Sequence, residues 1–192
     1  MLNLKLMIKK NINKDYIILI SLVLIACFSR IIPHMPNFTP LGAIALFCSS
    51  YFRNKYYAFV IPIFSLWISD LVINNIILKD YYDSFIWFYP GFIWQYSSFL
   101  LIAFIGLKTL KKRSFFRVLG ITVTSSILFF VITNFGVWIS STIYPKDIIG
   151  LLACYTVALP FYSGTFFGFI FYSFFLFGTY EFYALKLKTS KV

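Results

Sequence analysis

Two charged residues of opposite sign lie within or beside apolar stretches of this chain. Asp70 lies inside the apolar run 56–78, and Arg30 closes the run 16–32. A charged side chain at the centre of a membrane helix costs about 2.5–3.5 kcal/mol on insertion scales, so it normally has a partner or faces an aqueous cavity. At about 1.5 Å of rise per residue, both residues reach a similar outer depth. We therefore expect either a structural Arg30–Asp70 pair or a pair that also contacts a ligand.

Other polar and aromatic side chains are predicted at the same depth, on the first outer connection and on the fourth and fifth apolar runs. Together they predict an outward-facing pocket for a small, partly apolar molecule. In it the charged pair would orient complementary charges, the amides would form hydrogen bonds, and the tryptophans would stack. The predicted ligand-binding residues are Arg30, His34, Asn37, Asp70, Trp94, Gln95, Asn134 and Trp138. Two alternatives stay open: Trp138 belongs to an interfacial belt, and His34 only braces its loop.

Three prolines, Pro33, Pro36 and Pro40, interrupt the chain after the first apolar run. Each removes a backbone donor and biases the preceding residue towards extended geometry, so a continuous helix is not expected there. Non-helical backbone near a membrane is tolerated where it is buried in protein or lines water. An ordinary extracytoplasmic turn is the alternative.

The elements that must position these residues are apolar helices, because 60% of the residues are hydrophobic and only 12% are charged. Most of the apolar runs are near the roughly 17–25 residues that span a bilayer, and only 39–52 is short. The composition and the runs predict an all-α integral membrane protein, a single domain of 1–192 built as a bundle of six transmembrane helices. The predicted spans are 16–32, 39–52, 56–78, 85–107, 118–143 and 161–183.

Lysine and arginine are concentrated before the first run and in every second connection after it. By the positive-inside rule, this alternation places both termini in the cytoplasm. We interpret the net charge of +11 as attraction to anionic lipid headgroups of a bacterial cytoplasmic (inner) membrane, with no nucleic acid as partner. The predicted cytoplasmic clusters are Lys5, Lys9, Lys10 and Lys14; Arg53 and Lys55; Lys108, Lys111, Lys112, Arg113 and Arg117; and Lys186, Lys188 and Lys191.

Two further features concern packing. The apolar stretch 147–159 predicts a short interfacial or re-entrant segment that ends at Pro160 and covers the pocket, and a plain loop is the alternative. Small residues spaced four apart allow close helix approach. They occur as the pairs Ala45 and Ser49, and Gly164 and Gly168.

An enzyme is not predicted. One intramembrane carboxylate cannot form an aspartyl dyad, and the single histidine cannot supply a haem pair or a di-metal centre. The sequence contains no glycine-rich phosphate loop. We therefore expect no catalytic residues, no metal site and no cofactor.

Several motifs together resemble those of a bacterial family of small multi-pass membrane proteins of unknown function. They are Arg30-x3-His34-x-Pro36-Asn37-Phe38-Thr39-Pro40, Ala45-Leu46-Phe47, Pro62, Ser69-Asp70, Asn134-Phe135-Gly136-Val137-Trp138 and Leu159-Pro160-Phe161. That family is distantly similar to the S components of energy-coupling factor (ECF) transporters. The resemblance implies a six-helix protein that captures a vitamin-like molecule or a metal at its outer face.

The same resemblance implies partners, namely a transmembrane coupling subunit and cytoplasmic ATPases. The first helix lacks the Ala-x3-Ala patch through which S components often bind their coupling subunit. From the resemblance as a whole, we expect a vitamin-like binding and uptake subunit. A structural or assembly subunit of a membrane complex and an autonomous ion- or proton-coupled carrier are the alternatives.

Overall fold

The computed structural model describes residues 2–52 and 54–189, with the side chains of 16–52, 54–187 and 189. This part of the chain forms six α-helices and contains no β-strand, which confirms the predicted all-α class for the described residues. Of the predicted basic clusters, Arg53 and Lys191 and the side chains of Lys5, Lys9, Lys10, Lys14 and Lys188 lie outside the described residues. The helices are α1 (Leu2–Ser29), α2 (Leu41–Tyr51), α3 (Tyr56–Val72), α4 (Phe92–Thr109), α5 (Phe115–Ser140) and α6 (Ile148–Thr189).

Four helical stretches are long and apolar enough to cross a membrane. They are Tyr56–Ile77, which joins α3 to the π-helical turn Ile73–Ile77, then α4, α5 and most of α6. The apolar parts of the first two helices, Tyr16–Ser29 and Leu41–Tyr51, are shorter. The coarse architecture is therefore that of a membrane protein, and the number of six spans stays a prediction.

Helix α2 forms the centre of the bundle. Its residues 41–49 are buried, and it packs against every other α-helix. The Phe47 ring lies 5.5 Å from Phe177 and 4.8 Å from Tyr51, and Gly42 allows the Phe169 ring to approach. Eleven residues rise only about 16 Å, so α2 is too short to cross a roughly 30 Å hydrocarbon layer unaided.

The proline-rich connection between α1 and α2 contains turns and bends and no helix, as its prolines predict. It lies against α6 at two glycines. A Cβ atom on Gly164 would overlap the Pro36 carbonyl oxygen, and one on Gly168 would lie 2.9 Å from the Thr39 nitrogen. Because Gly164 is about 24 Å along α6 from its first residue, the connection lies beside the middle of α6.

The predicted small-residue pairs have different surroundings. Gly164 and Gly168 face the backbone of a loop instead of another helix. Ser49 lies against Gly106 of α4, where a Cβ atom would overlap the serine hydroxyl. Ala45 is fully buried within α2.

The predicted separate segment at 147–159 is not present. Instead, α6 runs without interruption from Ile148 to Thr189 and includes Pro160. Apolar surroundings favour this, because a broken helix would leave more backbone groups without partners than the one donor that Pro160 lacks. The 42 residues are about 63 Å long, roughly twice the hydrocarbon thickness, so α6 is strongly tilted or extends beyond it.

The connection before α4 is longer than predicted. The predicted span begins at residue 85, whereas α4 begins at Phe92, after Gly91 in the left-handed region at φ 87°. Asn75 holds this connection against α3. Its side chain accepts the Ile86 N–H at 2.7 Å and donates to the Ile86 carbonyl at 2.9 Å.

Candidate functional site

A buried ion pair joins the carboxyl-terminal end of α1 to α3. Arg30 Nη2 lies 2.7 Å from Asp70 Oδ1, and the two side chains are only 11% and 6% exposed. Arg30 Nη1 also donates to the Ser69 hydroxyl and, at 3.4 Å, to the Leu66 carbonyl. These partners lie one helical turn apart on α3, so one face of that helix holds the guanidinium.

Tyr96 on α4 completes the environment of the carboxylate. Its phenol donates to Asp70 Oδ2 at 3.1 Å, so each oxygen of Asp70 has its own partner. Sequence reasoning missed Tyr96, because a tyrosine in an aromatic-rich helix resembles ordinary packing. Its position beside Gln95, at the depth predicted for the pocket, was the available signal.

A cavity of about 340 Å³ lies beside this ion pair, between the proline-rich connection and helices α4, α5 and α6. This volume falls within the range of small-molecule sites. The apolar lining residues are Phe129, Phe130, Val137, Ala158 and Phe161. The polar lining residues are Arg30, Asn37, Thr39, Gln95, Thr133, Asn134, Tyr162 and Thr165.

The cavity brings together four of the predicted ligand-binding residues: Arg30, Asn37, Gln95 and Asn134. Asn37 has a left-handed backbone with φ 62°, a conformation that asparagine tolerates better than most residues. Asn134 donates through Nδ2 to the Phe130 carbonyl at 2.8 Å, which leaves its Oδ1 as an acceptor.

Gln95 is oriented by Tyr89, which lies in the connection before α4. The Tyr89 phenol donates to Gln95 Oε1, so the amide group of Gln95 keeps its two N–H donors. Burial, and then the nearby charge of Asp70, raise the pKa of the Tyr89 phenol, which therefore stays protonated and able to donate.

Asp70 acts on the cavity through Arg30 and is not itself among the lining residues. His34 does not line the cavity either. It is exposed, and its ring nitrogens lie 2.8 Å from the Met35 carbonyl and 3.3 Å from the Arg30 carbonyl. This geometry corresponds to the alternative in which His34 braces its loop.

The two predicted tryptophans lie near the beginning of α4 and near the end of α5, outside the cavity lining. Trp94 packs on Gly136 and donates to the Ser140 hydroxyl at 3.0 Å. Trp138 donates to the Pro145 carbonyl at 2.8 Å, and the Lys146 ammonium lies 5.8 Å from the centre of its ring. Both tryptophans therefore fasten α5 to its neighbours.

Thr165 and Tyr162 are cavity residues that sequence reasoning did not identify. Thr165 is 3% exposed, and its hydroxyl forms no hydrogen bond within the described part of the chain. The Tyr162 phenol lies 3.2 Å from the Ser126 hydroxyl. Both belong to an aromatic-rich stretch of α6, where no motif separates them from packing residues.

A larger space of about 940 Å³ lies between α1 and α3, but its chemistry is different. Among the described residues it is lined mainly by isoleucine, leucine, valine and aromatic side chains, and by no charged side chain. Such a groove suits lipid chains. The smaller cavity is lined by four of the eight predicted ligand-binding residues, and we regard it as the candidate site.

The arrangement is suited to binding. One cation, several hydrogen-bonding groups and an apolar wall surround a space that a small molecule fills. Within the described residues, no three His, Cys, Asp or Glu side chains are close enough together to hold a metal ion.

Comparison with known proteins gives a family and no precedent for function. No curated protein and no solved structure matches the chain. A family model described as "Family of unknown function (DUF6580)" matches residues 10–191, nearly the whole chain. The chain therefore belongs to the DUF6580 family.

Proposed function

We propose that this protein binds a small molecule in the polar cavity and serves as the capture subunit of an uptake system. One observation carries the proposal. A cavity of about 340 Å³ within an apolar bundle is lined by Arg30 and by amide and hydroxyl side chains. Polar groups are costly in such surroundings and are normally functional.

The cost of this site argues against a purely structural role. A tight bundle needs no space at its outer end, and apolar side chains would fill it with less loss of stability. Instead, Thr165 is buried beside empty volume without a hydrogen-bond partner in the described chain. A ligand that supplies the missing partners would account for this arrangement.

A membrane topology with six spans and cytoplasmic termini forms part of the proposal. Two contacts support it. The Tyr16 ring lies 5.8 Å from Phe52, and the Tyr51 phenol donates to Glu181, so the inner parts of α1, α2 and α6 meet at one end of the bundle. Arg113 and Lys108 belong to the same end through their helices, as the positive-inside rule requires. Reporter fusions at both termini would test the orientation.

The likeness to ECF S components belongs to the proposal as an analogy. By that analogy, a transmembrane coupling subunit and cytoplasmic ATPases would drive release of the ligand into a bacterial cell. Uptake by cells that express the chain alone, compared with cells that also express a coupling module, separates this role from an autonomous carrier. Uptake without the module would favour the carrier.

A binding screen tests the central claim. The purified protein in an uncharged detergent would be screened by thermal shift against vitamins, their precursors and other small metabolites. A ligand present at 100 times its Kd stabilises the folded state by about 2.7 kcal/mol. We expect at least one compound to raise the melting temperature of the parent protein.

Two matched variants assign that binding to the cavity. Ala158→Trp fills the cavity and should abolish the shift, whereas Thr156→Trp lies exposed on the same helix and should retain it. Binding that survives Ala158→Trp, or a complete panel without any shift, would contradict the proposed function.

A further inference from the structure

The charge of the cavity lining is unbalanced. Among the described residues, Arg30 is the single cationic side chain of its lining, and no carboxylate lines it. Asp70 contacts the guanidinium from the α3 side and does not reach the cavity. The ion pair therefore presents its positive end to the enclosed space, while Asp70 offsets the cost of holding the guanidinium away from water.

The guanidinium has donors to spare. Arg30 carries five N–H groups. Two on Nη1 are directed to Ser69 and Leu66, and one on Nη2 is directed to Asp70. The Nε–H and the second Nη2–H have no partner within residues 16–52, 54–187 and 189. Two donors on a cation are suited to an oxygen anion, because charge-assisted hydrogen bonds are about twice as strong as neutral ones.

The neutral lining groups include both donors and acceptors. Gln95 has its N–H groups available because its oxygen accepts from Tyr89. Thr165 contributes a hydroxyl that forms no hydrogen bond within the described chain and can therefore donate or accept. Asn134 differs, because its amide donates to Phe130 and leaves an acceptor oxygen. Arg30 and Gln95 therefore complement an oxygen-rich anionic group, and the Asn134 oxygen complements a hydrogen-bond donor on the ligand.

The remaining surface limits the size and polarity of that ligand. Phe129, Phe130, Val137 and Phe161 provide an apolar wall. The volume of about 340 Å³ lies at the lower end of the range for small-molecule sites, so a small ligand is favoured. A small aromatic or aliphatic acid fits these limits.

We infer that the cavity takes a small monocarboxylate, with its carboxylate against Arg30 and Gln95 and its apolar body against the phenylalanine wall. This inference rests on the proposed function, because it names the ligand class of the same site. It predicts that anionic compounds are preferred over neutral compounds of equal shape.

Matched pairs of acids and amides test the inference. The probes are phenylacetate, 4-hydroxyphenylacetate and indole-3-acetate, each beside its primary amide, measured by calorimetry on the full chain in an uncharged detergent. We expect each acid to bind about tenfold or more tightly than its amide. The hydroxyl of 4-hydroxyphenylacetate should add affinity through Asn134.

The variant Gln95→Glu sharpens the test with little change in shape. A carboxylate in the lining should weaken acid binding by about tenfold or more and leave amide binding nearly unchanged. A second pair of variants compares two threonines of α5 that each donate to the carbonyl four residues earlier. Thr133→Val changes the cavity lining, and Thr124→Val, on the exposed face of the helix, is its control.

The outcomes separate the two proposals. Amides that bind as tightly as acids, or acids that are insensitive to Gln95→Glu, would overturn the inference and leave small-molecule binding intact. If neither these probes nor the wider metabolite panel bind, the inference and the proposed function both fail.

Discussion

The two halves of the bundle, which the sequence predicts as inner and outer, are built on different principles. At the inner end, aromatic rings pack closely around α2: Phe47 lies 5.5 Å from Phe177, and Tyr51 lies 4.5 Å from Tyr180. At the outer end, the same helices enclose an ion pair and about 340 Å³ of space. Contacts between aromatic side chains hold the inner half together, whereas the outer half contains paired polar groups beside an open cavity. The difference separates residues that hold the fold from residues that are available to a ligand.

The largest effect is expected from breaking the ion pair on one side. Asp70→Asn leaves the Arg30 guanidinium without its counter-charge while 11% exposed, which should cost about 3–5 kcal/mol of folding free energy. Thermal unfolding in detergent measures the loss. Replacing both partners, as Arg30→Met with Asp70→Leu, should recover most of it, and a double variant less stable than the single one would contradict this account.

A comparable loss of folding free energy, without a change in ligand affinity, is expected in the inner half. Phe47→Ala removes a fully buried ring and should cost on the order of 3 kcal/mol, because its neighbours cannot fill the space. Ligand affinity of the folded fraction should stay unchanged. Phe116→Ala, at a ring that is 82% exposed, is the control and should change stability little. Weakened binding by Phe47→Ala would show that the two halves are coupled.

A moderate effect is expected where the halves meet. Gly164→Ala places a methyl group on the Pro36 carbonyl and should cost about 1–3 kcal/mol, since the loop must move away from α6. The displaced loop carries Asn37, so ligand affinity should fall too. Gly178→Ala on the same helix has open space around it and should leave both quantities unchanged. Equal behaviour of the two variants in unfolding and binding measurements would argue against the loop contact.

The smallest effect separates backbone strain from side-chain chemistry at Asn37. Asn37→Ala must hold φ near 62° with a Cβ atom and should lose about 1–2 kcal/mol. Asn37→Gly lacks the same amide but accepts this backbone, so its stability should stay close to that of the parent protein. If both variants bind ligand equally weakly, the amide contributes to binding. Normal binding by Asn37→Gly would remove Asn37 from the site.

Part of this architecture could be read from the sequence, because depth along a helix follows from residue number. Counting residues along the predicted helices placed Arg30 and Asp70 at a similar depth, and the two side chains are in contact in the structure. The helical class likewise follows from the apolar runs. Counting carries no information about rotation around a helix axis. Trp94 and Gln95 are consecutive, yet only Gln95 lines the cavity.

Other features depended on contacts distant in sequence. Thr165 becomes a site residue only because the proline-rich connection lies against the middle of α6. Pro160 predicted an interruption, but the apolar surroundings maintain the helix through it. Asn75 clamps the loop at Ile86 through hydrogen bonds that no local pattern indicates.

The central position of α2 also constrains how the protein is made. Apart from α1, all the helices that enclose α2 are translated after it. During synthesis this short helix therefore enters the insertion machinery before most of its final neighbours exist. It reaches its buried position only when α6, the last of the described helices, has been inserted. A chain stalled before α6 would therefore leave the α6-facing side of α2 without its packing partner.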